Sequence, residues 1–184
     1  MKKYILLILF IAGFSVASFG QKYFSKTGHV HFLSDAPIEK IEADNDNGFI
    51  IFDAATGHLE FSVLIKGFTF HKALMQQHFN ENYMESDTYP KAIYKGLIRD
   101  WSVIHLMGDH VCQVDVEGQL TMHGVTKPLK CKASLTMQNG GISATSAFDI
   151  VVADYNIQIP KVVKDNISKN VKVTVTADLV PMNK

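Results

Sequence analysis

The chain has 184 residues, 18 basic and 18 acidic side chains, and no formal net charge at pH 7. That balance, with no basic run, excludes a broad nucleic-acid surface and a polybasic lipid anchor. With 47% hydrophobic residues and two cysteines, the composition fits one globular domain with a sizeable core and excludes a disulfide-dense miniprotein.

The first twenty residues read as a signal peptide rather than as fold. Lys2 and Lys3 precede an apolar run, Tyr4 to Phe14, that is short for a bilayer-spanning helix. Ser18-Phe19-Gly20 then has the small–large–small form of a cleavage site before Gln21. No cysteine follows directly, so no lipoprotein anchor is expected. The reading is export, to the periplasm or the medium, of a domain over residues 21–184 with 16 basic against 18 acidic residues.

Tyr23 to Leu33 is expected as a first strand, with His29 and His31 on one face and Val30 and Phe32 on the other. Asp44-Asn-Asp-Asn-Gly48 has the composition of a turn, followed by a short strand, Phe49 to Phe52. Leu59, Phe61, Val63 and Ile65 then alternate with polar residues. From Phe70 to Met84 the apolar spacing changes to threes and fours, which predicts a helix of about four turns ending before Pro90. Ala92 to Ile98 returns to strand, extended by Trp101 to His105, and Gly108-Asp109-His110 turns the chain.

The longest alternation follows. Val114, Val116, Leu120 and Met122 share one parity, and after a tight turn so do Leu129, Cys131, Ala133 and Leu135. Gly124 permits a positive φ there, and Pro128 limits how the second strand begins. A turn centred on Val125 would set Cys131 opposite Gln119. Cys112 is then too many residues away to bridge, and both cysteines are expected as small inward hydrophobes. Asn139-Gly140-Gly141 is a further turn. Ile142, Ala144, Phe148, Ile150 and Val152 form the next inward row, Asp154-Tyr155-Asn156 bends the chain, and Lys161 to Asn170 holds a short helical turn. Val171, Val173, Val175, Ala177 and Leu179 line the last strand. The sum is all-β, eight antiparallel strands with one inserted α-helix, which close into a barrel that removes exposed edges.

Four stretches, in order, carry a resemblance: Thr27-Gly-His-Val-His-Phe32, the run from Phe70 to Ala92, Leu120-Thr-Met-His-Gly-Val-Thr-Lys-Pro128, and Phe148-Asp-Ile-Val-Val-Ala-Asp-Tyr-Asn-Ile157. Together they resemble a YceI-like domain over essentially the whole exported chain. The resemblance implies a lipocalin-like barrel with a helix, usually exported from bacteria. It further implies a polyisoprenoid or similar long-chain lipid held inside by some members, and pairing of two copies in some. Asn156 stands where many members have Gly, and Gly28-His-Val-His replaces a more usual hydroxyl-bearing pattern.

The leading functional reading is therefore a binding protein without a cofactor. Its cavity would be lined by Phe61, Val63 and Ile65, by Val114, Val116, Leu120 and Met122, by Leu135, Phe148 and Ile150, and by Val173 and Val175, with Leu74, Met75 and Phe79 of the helix over one end. Each buried methylene of a guest is worth roughly 0.8 kcal/mol. The competing reading is that these side chains fill the barrel as a solid core. Eight histidines raise a metal site, with His29 and His31 two apart on one strand face and His71 and His78 two turns apart on one helical face, but there is no His-Glu-x-x-His, Cys-x-x-Cys or third ligand at a fixed offset. No nucleophile elbow, phosphate loop or dinucleotide fingerprint is present, and Asp149, Asp154 and His123 each have a structural reading, so no enzyme is expected. An alternative is an envelope adapter that docks another protein through Tyr83, Tyr89, Tyr94 and Trp101.

Overall fold

In the computed structural model, residues 21–104, 106 and 110–182 are described. The signal-peptide reading of residues 1–20 lies outside them, as do His105, Gly108 and Asp109. The described residues form nine strands: β1 Lys22–Asp35, β2 Lys40–Asp53, β3 His58–Leu64, β4 Thr69–Phe70, β5 Lys91–Ile98, β6 Cys112–Met122, β7 Val125–Gln138, β8 Gly141–Val151 and β9 Asn170–Pro181. All pairs are antiparallel. The order runs β1-β9-β8-β7-β6-β5-β3-β2, and β2 returns to β1, so eight strands close a barrel. Two-residue β4 hangs on β2 through Ala43 and Asp44.

The expected turn at residues 44–48 is not a turn; it lies inside β2. Its polar residues build an irregularity instead. Before it, Ala43 and Asn45 point inward; after it, Ile50 and Phe52 do. β1 changes parity at the same level, with Tyr23 and Ser25 buried before the shift and Val30 after it. Inserted residues that reverse the alternation in both partners keep one apolar face inside. The two strands cross at Gly28 and Gly48, where a Cβ on Gly48 would meet the Gly28 carbonyl oxygen at 2.7 Å. Asn45, fully buried, donates its amide to the Leu64 carbonyl at 2.9 Å and accepts from the Asn47 amide, so the kink carries no orphaned amide.

The helix is shorter than its spacing predicted. α1 is Ala73–His78, followed by one π-turn over Phe79–Tyr83 in which the Met84 amide donates to the Phe79 carbonyl. Lys72 gives no side-chain cap, and Phe70 is drawn into β4 against Ala43, so the first predicted turn is lost. Trp101–Val103 is a 3-10 turn after left-handed Asp100 rather than a strand extension. Lys161–Val163 is likewise one 3-10 turn, and Asn170 already belongs to β9.

The β6–β7 turn is tighter than expected. His123 and Gly124 both have positive φ, 49° and 73°, which makes a two-residue hairpin. The register therefore sets Cys131 opposite Val116, not Gln119, and Cys112 opposite Leu135. Four strand positions at ~3.3 Å each still hold the thiols apart, and both are free. Asn156, at φ 58°, occupies the left-handed position that glycine would otherwise fill.

A candidate ligand cavity with a floor and a mouth

The barrel encloses a cavity of about 570 Å³, within the range that holds a small organic ligand. Small residues cluster on one stretch of its wall. Ala144 pairs directly with Ala177 across β8 and β9, and Ala133 sits on neighbouring β7. All three line the space. A solid core would need branched or aromatic side chains at those positions.

Of the predicted lining residues, Phe61, Val63, Ile65, Leu74, Met75, Phe79, Val116, Leu120, Met122, Leu135, Phe148, Ile150, Val173 and Val175 border the cavity. Val114 does not, although it is buried at 4% exposure. It sits near the floor end of β6, opposite Ala133, and packs into the core beyond the cavity. Sequence reasoning passed over Val30, Phe32, Phe52, Tyr94, Ile98 and Cys131, which also line it. Their inward parity was the available signal.

Tyr94, expected among the docking aromatics, is turned inward instead. It is buried, with its ring over the facing pair Gly96 and Gly118, and its hydroxyl donates to the Leu129 carbonyl at 3.1 Å. Burial, then the neighbouring Cys131, pushes its phenol far above the ordinary value, so it stays a neutral donor. Tyr83, at the cavity edge, is raised by burial as well. Both lining serines are already engaged: Ser34 accepts from the Ser168 amide, and Ser146 donates to the Lys132 carbonyl. What remains facing a guest is almost wholly apolar.

The two ends differ. The floor is formed by Phe52, Ile98, Ile142 and Leu179. Behind it lies Trp101, edge-on to Phe52 at 4.9 Å, with its indole N–H donated to the Ala54 carbonyl at 2.7 Å. The mouth is bordered by the β1–β2 loop, α1 and the segment from Val163 to Ile167. Under α1, Phe79 stacks on Phe32, meets Phe68 edge-on and lies tilted against Phe70, at centroid distances of 5.5, 5.7 and 5.0 Å. Polar lining side chains gather here: Glu39, Lys72, His78 and Asn166. Lys72 donates to Glu39 at 3.0 Å, and this bond holds the Glu39 carboxyl below its ordinary value against the opposing effect of desolvation.

The remaining candidates fall outside the cavity. His29 donates from Nδ1 to Asp46 at 2.6 Å, and His31 to Asp44 at 2.8 Å, on the outer wall. His71 precedes α1, so it does not share a helical face with His78. No group of three metal-ligating side chains occurs among the described residues. Asp149 is exposed, Asp154 sits in the 3-10 turn Val152–Tyr155, and His123 donates to the Tyr155 carbonyl. Tyr89 packs edge-on against His123 at 4.7 Å. The four aromatics proposed for an adapter surface are thus buried or half-buried within the domain. No described helix is long and apolar enough to cross a membrane.

Residues 17–179 match the model of the YceI-like domain. No curated protein matches the sequence significantly. Among solved structures, the chain is similar to a polyisoprenoid binding domain from Saccharophagus degradans implicated in plant cell wall breakdown. The TM-score is 0.76 at 16% identity, over 89% of this chain and 99% of that one. It is also similar to BcnA of Burkholderia cenocepacia, at TM-score 0.66 and 15% identity over 83% and 96% of the two chains. A YCEI protein of Campylobacter jejuni gives 0.53 at 14% identity over the full length of both.

Proposed function

Because this chain belongs to the YceI-like domain family, we propose that it binds one long-chain apolar ligand, polyisoprenoid-like or fatty-acyl, inside its barrel. The observation that carries this reading is a cavity of about 570 Å³ whose walls offer a guest almost nothing but carbon. Burying an alkyl or prenyl chain there gains about 25 cal/mol per Å² removed from water, with no reacting group required. Binding rather than catalysis is the proposed activity. The polyisoprenoid-binding description of the Saccharophagus degradans relative supports the ligand class. The charged n-region, apolar run and Ser18-Phe19-Gly20 support export to the periplasm or medium, where the protein would carry or sequester its ligand.

The test is native mass spectrometry of protein never exposed to detergent, paired with uptake of a fluorescent prenyl probe. A bound mass of lipid size, or saturable one-to-one uptake, is the expected result. Absence of both overturns the reading. A stoichiometric protein partner recovered with protein that takes up no probe would favour the adapter.

A further inference from the structure

Three large aliphatic side chains stand in water at the mouth end: Ile38 at 67% exposure, Leu74 at 62% and Val162 at 90%. They come from three separate elements, the β1–β2 loop, α1 and the Lys161–Val163 turn. Those elements are tied into one rim. The Ile38 amide donates to the Asp165 carbonyl at 3.2 Å, which fixes the loop to the Val162 segment. On its other side the loop is fixed to the helix by the 3.0 Å bond from Lys72 to Glu39. The aliphatics therefore sit in a set arrangement around the opening through which a guest must pass.

We propose that this rim docks on a lipid bilayer and inserts Ile38, Leu74 and Val162 into it, so that the ligand moves between membrane and cavity without crossing water. The proposal rests on the binding function above and adds the route. Three separated side chains fall far short of the roughly 800 Å² per partner that a stable protein interface buries. They suit a fluid apolar phase that closes around each one. Local charge agrees. Around Ile38, Asp35 stands beside the ion pairs Lys72–Glu39 and Lys40–Glu42; at the Val162 edge the exposed Lys161 and Lys164 stand against one carboxylate, Asp165. This favours an anionic surface although the whole chain is balanced. Long lysine stems also allow the ammonium groups to stay at headgroup level while the aliphatics go deeper.

The experiment compares the parent with Ile38→Ser/Val162→Ser, since neither residue lines the cavity. Any contribution of residues 1–20 is common to both proteins. Flotation with phosphatidylglycerol/phosphatidylethanolamine vesicles, and the rate of prenyl-probe transfer from those vesicles, are each expected to fall by about tenfold or more in the variant. Equilibrium uptake of a short, soluble prenyl probe and the melting temperature should not change. Lys161→Gln/Lys164→Gln should weaken flotation on these vesicles and not on phosphatidylcholine. A parent that does not float, or a serine variant that floats and transfers like the parent, overturns the docking proposal. Failure of the parent to take up the soluble probe would overturn the binding function instead, and the flotation result is read independently of it.

Discussion

At the floor of the barrel, one indole ring packs edge-on against Phe52 and gives its N–H to a backbone carbonyl, and four side chains in front of it seal the cavity. At the mouth, four phenylalanines pack together under a short helix that has no side-chain cap, beside loops tied by the Ile38–Asp165 and Ser168–Ser34 hydrogen bonds and the Lys72–Glu39 pair. Both ends bury aromatic area, but the floor ring is anchored by a hydrogen bond to the turn after β2, whereas α1 begins with no side-chain cap. Local opening follows the weaker ties, which predicts that α1 opens before the floor does.

That contrast is open to challenge. Trp101→Ala removes both the ring contact and the hydrogen bond, and should cost about 3 kcal/mol, read as a shift of the urea midpoint. A loss no larger than that of a mouth variant would erase the distinction between the ends. Ala133→Trp fills the space the small residues leave. It should reduce probe affinity by more than about tenfold while the barrel still melts cooperatively; unchanged affinity would place the guest elsewhere. Phe79→Ala should cost less than the floor variant, about 2 kcal/mol, because it removes ring packing without also removing a hydrogen bond. It should also speed hydrogen exchange in residues 73–84 without affecting β6.

The smallest effect belongs to Glu39→Gln. Lys72 lowers the Glu39 carboxyl from its ordinary 4.5. The stabilisation is therefore fully present above the unfolded value and disappears as pH falls through the lowered folded one. The variant should melt slightly below the parent at neutral pH and together with it in strong acid. A difference that persists in acid would mean that the rim is held by something other than this pair.

Much of the wall was legible because a period of two is a geometric consequence of the extended chain. The rows from Leu59 to Ile65, from Val116 to Met122 and from Val171 to Leu179 needed no tertiary information. What failed needed it. Asp44 to Gly48 has turn chemistry, yet it forms a kinked strand, because Gly28 lies across from Gly48 and the buried Asn45 amide finds the Leu64 carbonyl. The helix lost its first turn to a strand pair with Ala43, a partner nearly thirty residues away. Tyr94 looked like a surface aromatic because the two glycines beneath its ring lie on different strands. The polar mouth was missed for the same reason, since Glu39, Lys72 and Asn166 meet only after the barrel closes.

The floor also gathers the two ends of the folded chain. The Met182 amide donates to the Lys22 carbonyl at 2.7 Å, and the Ala54 amide to that of Gln21 at 3.0 Å. A reporter or immobilising handle fused after Met182, or before Gln21 in protein lacking residues 1–20, would thus start on the side opposite the rim. The same adjacency makes the domain suited to circular permutation: a short peptide joining the old termini, with new ones cut at Asn139 and Gly140, would preserve every strand pairing.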